Sequence, residues 1–327
     1  MTDNLRGTPP NPDAAISVRG LTKRFGTFTA VDGIDFDVPR GQIFGFLGPN
    51  GSGKTTTIRM LTGTSRPDSG QALVLGEDVV ANPERIKQRF GYMSQKFALF
   101  EDMTVEENLR FYAGVYDLSP TRFAEQRAYV LQMADLRGRE NELTANLSVG
   151  WRQRLALGTA TIHSPELLFL DEPTGGVDPV ARRQFWDLLY ELAGRGVTLF
   201  VTTHYMDEAS HCNQLSFIYR GRLIAEGAPH DIRRDQLTEE VVEVTVADVD
   251  GALSWLEQAP GVEEAYLSGA ALHAVIDRGA TTGSENGLAP ALTARLREAG
   301  FADALVVAVQ PTLEDVFVNL VARAREP

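Results

Sequence analysis

Apolar positions fall into alternating runs, short unbroken runs and runs with helical spacing, and each kind predicts a different element. Alternation over 16–24 and 28–38, broken by Phe25, Gly26 and Thr27, predicts an antiparallel hairpin. Short apolar runs at 42–47, 167–172 and 197–203, bounded by turn residues, predict buried parallel strands. The run 90–94, ending before Gln95, adds a core strand, and 72–75 joins the antiparallel layer before a polar connection containing Pro83. From 96 to about 162 the spacing turns helical. Thr104 with Glu107 three residues on forms a capping box, and 123–136 is amphipathic at helical period. A helix over 179–193 links two of the buried strands, and 215–220 with 222–225 form a hairpin around Gly221.

After Pro229 the pattern changes. Strands at 241–246, 264–267, 271–276 and 305–309 alternate with helices at 252–258, 289–298 and 313–324, and 279–287 reads as a mobile Gly-rich loop. The order βαββαβ predicts a small ferredoxin-like α+β domain. The chain therefore divides into a leader (1–15), an α/β domain (16–235, its helical part about 96–162) and a C-terminal α+β domain (236–327). The leader, rich in Pro, Asn and Asp, reads as disordered. Hydrophobic content of 43% supports sizeable cores. Net charge is 31 − 44 = −13, which disfavours binding nucleic acid through its phosphates. The one cysteine, Cys212, cannot close an internal disulfide. No run of 18 apolar residues exists, so a membrane process would need another chain to cross the bilayer.

Chemistry enters with Gly48, Pro49, Asn50, Gly51, Ser52, Gly53, Lys54 and Thr55, which fit G-x-x-x-x-G-K-[ST] at every fixed position. A strand precedes them and a helix starting near Thr55 and Thr56 follows, the context the motif requires. Glycines let successive N–H groups face a phosphate chain, and the helix N-terminus adds roughly half a positive charge. Lys54 can reach the outer phosphates and the Thr55 hydroxyl can hold Mg²⁺. A second signal is the apolar run ending in Asp171 and Glu172. Carboxylates at a strand's C-terminal end sit where open α/β sheets bind ligands. There Asp171 can hold Mg²⁺ through water, and Glu172 can polarise an attacking water.

Over 16–233 these motifs, in this order, resemble the ATPase of an ATP-binding-cassette (ABC) transporter. The resemblance implies a P-loop NTPase cassette of α/β class, with a mixed-sheet core, an antiparallel β layer and a helical subdomain. It assigns Gln95 to Mg²⁺ and the attacking water, and His204 to the γ-phosphate. Leu147, Ser148, Val149 and Gly150 match the signature, in which Ser148 and Gly150 bind the γ-phosphate of the opposite subunit. Asp178, in the loop from Gly175, lines the dimer interface. Phe25 falls where the family stacks an aromatic on adenine; the alternative reading is a core ring of the hairpin. Val149 and Trp151 depart from the consensus Leu-Ser-Gly-Gly-Gln, and Val149 bears on how closely the two halves approach.

This signature, the runs 93–100 and 104–116, and the closing 311–317 are similar to ATPases paired with drug-efflux permeases. The resemblance implies ATP and Mg²⁺, a homodimer or paralogous cassette, and a separate permease that holds the chain at the cytoplasmic face of the membrane. Phe97, Leu99, Phe100 and Phe111 form an apolar cluster that either docks a permease helix or packs the helical subdomain. Rival readings are a soluble ABC ATPase acting on the ribosome or nucleic acid, the ATPase of an importer, and a phosphoryl-transfer kinase. A single cassette without heptads or basic insertions weighs against the soluble type. The signature and His204 would have no role in a kinase.

Overall fold

The computed structural model describes residues 5, 7–236, 239–276 and 288–324, which form two compact units, Met1–Glu226 and Gly227–Pro327. The Gly-rich stretch at 279–287 lies outside the described residues.

The first unit begins with the hairpin β1 (Ile16–Phe25) and β2 (Phe28–Val38), then β3 (Ile43–Leu47) and α1 (Lys54–Leu61). Next come β4 (Ser69–Val74), β5 (Glu77–Asp78), α2 (Pro83–Lys87) and β6 (Phe90–Met93). Helices α3 (Val105–Val115), α4 (Pro120–Met133) and α5 (Val149–Thr161) lead to β7 (Leu167–Asp171), α6 (Pro179–Gly194) and β8 (Thr198–Thr203). The hairpin β9 (Gln214–Tyr219) and β10 (Arg222–Gly227) ends the run. One sheet has the order β2-β1-β4-β5 and the other β10-β9-β3-β8-β7-β6. In the second, β3 runs parallel to both β8 and β9, and β7 to both β6 and β8.

Aromatic rings join the two sheets. Phe36 of β2 lies 5.8 Å from Phe44, 5.5 Å from Phe46 and 6.2 Å from Phe200, centroid to centroid. All four rings are fully buried. Large buried rings contribute both area and preferred stacking geometry, so this cluster sets how the antiparallel layer seats on the parallel one. The period-2 pattern of β3 explains it: Phe44 and Phe46 share one face, and Gly45 on the other lets Leu215 and Cys212 come close. α3 starts with the expected capping box between Thr104 and Glu107.

Three expectations change. The leader is tied down over residues 8–15. Ala15 is fully buried, its N–H donates to Val38 (2.8 Å) and its carbonyl accepts from Leu75 (2.8 Å). Arg19 donates to Thr8 (3.1 Å) and Arg40 to the Asp13 carbonyl (3.2 Å). Two small buried alanines are a weak apolar signal, which is why the composition reads as disorder. Second, the connection after 72–75 contains β5 and α2, with Pro83 in the first turn of α2, where its missing N–H does no harm. Third, α7 (Pro229–Gln236) belongs to the second unit, where it packs on α10 (Leu313–Arg323).

That unit continues with β11 (Glu240–Thr245), α8 (Val249–Leu256), β12 (Val262–Ser268), β13 (Ala271–Ile276), α9 (Leu288–Glu298) and β14 (Leu305–Val309), ending in α10. Its antiparallel sheet has the order β12-β13-β11-β14, the arrangement a βαββαβ chain adopts in a ferredoxin-like fold. The closing motif 311–317 acquires a physical role here. Thr312 and Asp315 form the capping box of α10, and the fully buried Asp315 also accepts from Tyr266 and from His273 Nδ1 (2.6 Å). Burial pushes the Asp315 carboxyl up, but these hydrogen bonds outweigh it and hold it below its ordinary value.

Candidate functional site

The phosphate loop leaves the C-terminal end of β3 and enters α1 through Gly53, whose φ of 116° suits glycine. A Cβ on Gly53 would lie 2.6 Å from the Ala30 carbonyl, and one on Gly48 2.2 Å from the Ile218 carbonyl. No side chain caps α1, so its first N–H groups face the loop. The Ser52 hydroxyl is buried and without a hydrogen-bond partner among the described residues. Unpaired donors at a helix N-terminus suit an anion.

Glu172 is the hub beside that loop. Its Oε1 lies 3.1 Å from Lys54 Nζ, and its Oε2 lies 3.2 Å from both Gln95 Nε2 and His204 Nδ1. Lys54, 4% exposed, also donates to the carbonyls of Gly48 (2.7 Å) and Pro49 (3.1 Å). The Glu172 backbone is left-handed at φ 50°, uncommon for a residue with a side chain. It is held there by Thr202, whose hydroxyl and carbonyl both receive the Glu172 N–H (3.0 and 3.1 Å). Asp171, one residue earlier, accepts from Thr202 Oγ1 at 2.7 Å and Thr55 Oγ1 at 3.3 Å. Four elements therefore converge: α1, the end of β7, the second residue after β6 and the residue after β8.

A cavity of about 490 Å³ opens here, lined among others by Phe25, Phe28, Asn50, Thr56, Gln95 and Glu172. Phe25 is 55% exposed, which removes the reading as a core ring. Phe28, 60% exposed, pairs with it across the hairpin end. Two aromatics flanking a two-residue turn face the same side, a signal the sequence carried. The other unforeseen neighbours are Thr202, the cross-strand neighbour of Asp171, and Tyr92, whose phenol feels the Asp171 charge. Burial and the Asp171 charge push the Tyr92 phenol up to about 12, so it stays a donor.

Ser148, Gly150 and Asp178 lie elsewhere. They line a second concavity of about 540 Å³ that shares no residue with the first. Ser148 is the exposed N-cap of α5, yet its hydroxyl makes no cap hydrogen bond. Asp178 caps α6, accepting from the N–H groups of Val180 and Ala181 (both 3.0 Å). Two guanidinium groups approach the Trp151 ring, Arg139 at 4.2 Å and Arg154 at 5.2 Å. Phe100 and Phe111 stack edge to face 4.6 Å apart at 38% and 42% exposure. The core of the helical part is built instead from Val105, Leu109, Val130, Leu131 and Leu155.

The donors around Asp171 fit Mg²⁺. Thr55, Asp171 and Gln95 offer hard oxygens, few enough to leave positions for water and phosphate, the pattern Mg²⁺ favours. Among the described residues no group of three or more His, Cys, Asp or Glu side chains could hold a metal alone. Nor is any helix among them long and apolar enough to cross a membrane.

The ABC transporter family model matches residues 31–175. A probable multidrug ABC transporter ATP-binding protein, YbhF of Escherichia coli K12, is 45% identical over 242 residues, 74% of this chain. The chain spans only 42% of that relative's length. The Nod factor export ATP-binding protein I of Paraburkholderia xenovorans LB400 is 37% identical, covering 95% of this chain and 98% of its own. A solved ATP-binding subunit of an ABC transporter superposes with a TM-score of 0.62 at 29% identity, over 67% of this chain and 92% of its own. The identity and coverage of these relatives, together with the shared cassette fold, show the family: the chain belongs to the ATP-binding subunits of ABC transporters.

Proposed function

We propose that this chain hydrolyses ATP to drive export through a separate membrane permease. The observation that carries the reading is the convergence of Lys54, Gln95 and His204 on Glu172 beside the phosphate loop. The loop N–H groups, with Asn50, Thr56 and Lys54, bind the phosphates, and Phe25 stacks on the base. Thr55, Asp171 and Gln95 would hold Mg²⁺, which supplies charge neutralisation on the phosphates. Glu172 accepts a proton from the attacking water. Lys54 and His204 donate to the γ-phosphate as charge develops.

The other face of the γ-phosphate is covered by Ser148 and Gly150 of a second cassette, either another copy or a paralogue, with Asp178 at the seam. ATP binding the closed pair better than the open one supplies the driving force. The exposed Phe100–Phe111 pair, with Phe97 and Leu99 beside it, docks the permease at the cytoplasmic face of the membrane. A relative named for Nod factor export, and one named for a multidrug ABC transporter, support export over import.

The test is ATP hydrolysis with Mg²⁺, together with sizing in ATP, for wild type, Glu172→Gln and Ser148→Ala. Glu172→Gln binds ATP, loses turnover at least ~100-fold and accumulates as a dimer. Hydrolysis untouched by Glu172→Gln, or full activity in a monomer, overturns the reading.

A further inference from the structure

Outside the cavity, two buried hydrogen bonds grip the turn between Glu172 and Asp178. From α5, Gln153 (1% exposed) donates Nε2 to the Pro173 carbonyl at 2.7 Å. On the opposite side Thr174 (1% exposed) donates its hydroxyl to Glu208 Oε1 at 2.5 Å. Glu208, also 1% exposed, lies in the short 3-10 turn Met206–His211, which begins two residues after His204. Arg182 of α6 approaches the same carboxylate at 3.6 Å and stacks over Tyr205 at 4.2 Å. The Tyr205 ring in turn lies 4.1 Å from that of His204.

Stability does not explain this arrangement. Glu208 Oε2, Gln153 Oε1 and Arg182 Nε are all buried without a hydrogen-bond partner among the described residues. A buried, half-satisfied carboxylate adds no stability over a well-packed apolar residue, so stability alone gives no reason to keep it. What the contacts do achieve is positional. Gln153 belongs to the helix that starts just after Ser148, and Glu208 to the short turn that follows His204 and Tyr205. Between them they fix the turn that begins at the strained Glu172 and ends at Asp178.

We propose that Gln153 and Glu208 are positioning residues that clamp this turn through Pro173 and Thr174. A shift of the signature helix α5 is then passed to the Glu172 carboxylate and to the His204 segment. The inference rests on the ATPase reading above. It adds that the signature helix and the water-activating carboxylate of one chain are mechanically joined.

Thr174→Val is nearly isosteric and removes only the donor to Glu208, while Thr174→Ser keeps it. Gln153→Met removes the donor to Pro173. The measurement is kcat and KM for ATP, with the ATP Kd and melting temperature of each variant. Thr174→Val and Gln153→Met lower kcat about 10- to 100-fold while KM and Kd stay within about 2-fold, and Thr174→Ser recovers most of the rate. Two results overturn the clamp while wild type turns over and Glu172→Gln does not. One is unchanged kcat in both variants. The other is a loss shared by Thr174→Ser and explained by a lower melting temperature. If wild type itself fails to hydrolyse ATP, the ATPase reading falls first and the clamp with it.

Discussion

The two concavities of the cassette are similar in size and opposite in how they satisfy their polar groups. In the first, Lys54 is buried and paired with Glu172, which also holds Gln95 and His204, and Asp171 is shared by Thr55 and Thr202. In the second, the Ser148 hydroxyl caps nothing and Val149 is 41% exposed. A preorganised, internally paired site can bind a nucleotide by exchanging partners at little reorganisation. A helix N-terminus left open to solvent is satisfied by water, which an incoming anion can displace. The difference is what the proposed function requires if each chain contributes two half-sites rather than one whole one.

The sharpest way to break that comparison is to remove the cation from the paired half. Lys54→Ala leaves Glu172 without its cation, and we expect kcat for ATP to fall at least ~100-fold, with weaker nucleotide binding by titration. A residual rate within tenfold of wild type would contradict the assignment.

A smaller effect is expected at the mouth of the same cavity. Phe25→Ala removes a stacking face worth about 1–3 kcal/mol, so ATP affinity drops roughly 5- to 150-fold with kcat retained at saturation. Phe28→Ala does less if only one ring meets the base, and equal losses would show that both do.

The smallest effect on chemistry, and a clear one on stability, belongs to a residue in neither concavity. His163 stacks on Tyr116 at 3.6 Å, and its Nε2 meets the Phe90 carbonyl at 3.0 Å. Its Nδ1 is buried without a hydrogen-bond partner among the described residues. Burial pushes it down from 6.5 to about 4. The folded state therefore takes up this proton later than the unfolded one. Its contribution is complete above pH 6.5 and is lost as pH falls toward 4, amounting to roughly 3 kcal/mol. Denaturant melts at pH 7.5, 6 and 5 should show this slope flattened in His163→Phe, with ATP turnover at pH 7.5 nearly unchanged. An identical slope in the variant would contradict it.

Much of the cassette could be read from local pattern, because its strands are short apolar runs and its phosphate loop is contiguous. The hairpin around Phe25, the strand before Gly48 and the capping box at Thr104 each depend on neighbours within a few residues. What could not be read depends on distant partners. Thr202 matters because β8 lies beside β7, Tyr92 because its phenol feels the Asp171 charge, and Ala15 because it fills a gap between Val38 and Leu75. Trp151, anomalous as a sequence letter, is explained by two arginines that approach its ring. The closing motif 311–317 had no derivable role until Asp315 met Tyr266 and His273.

The two-half-site account is tested most directly by mixing chains. Lys54→Ala disables the phosphate loop and Gly150→Asp the signature, placing a carboxylate where a Cβ already comes within 3.4 Å of Ala181. Each variant alone should be inactive. In a two-fold dimer a 1:1 mixture forms hybrids with one intact composite site, and we expect about a quarter of wild-type ATPase activity to return. A mixture as inactive as its parts would contradict the claim that the loop of one chain works with the signature of another.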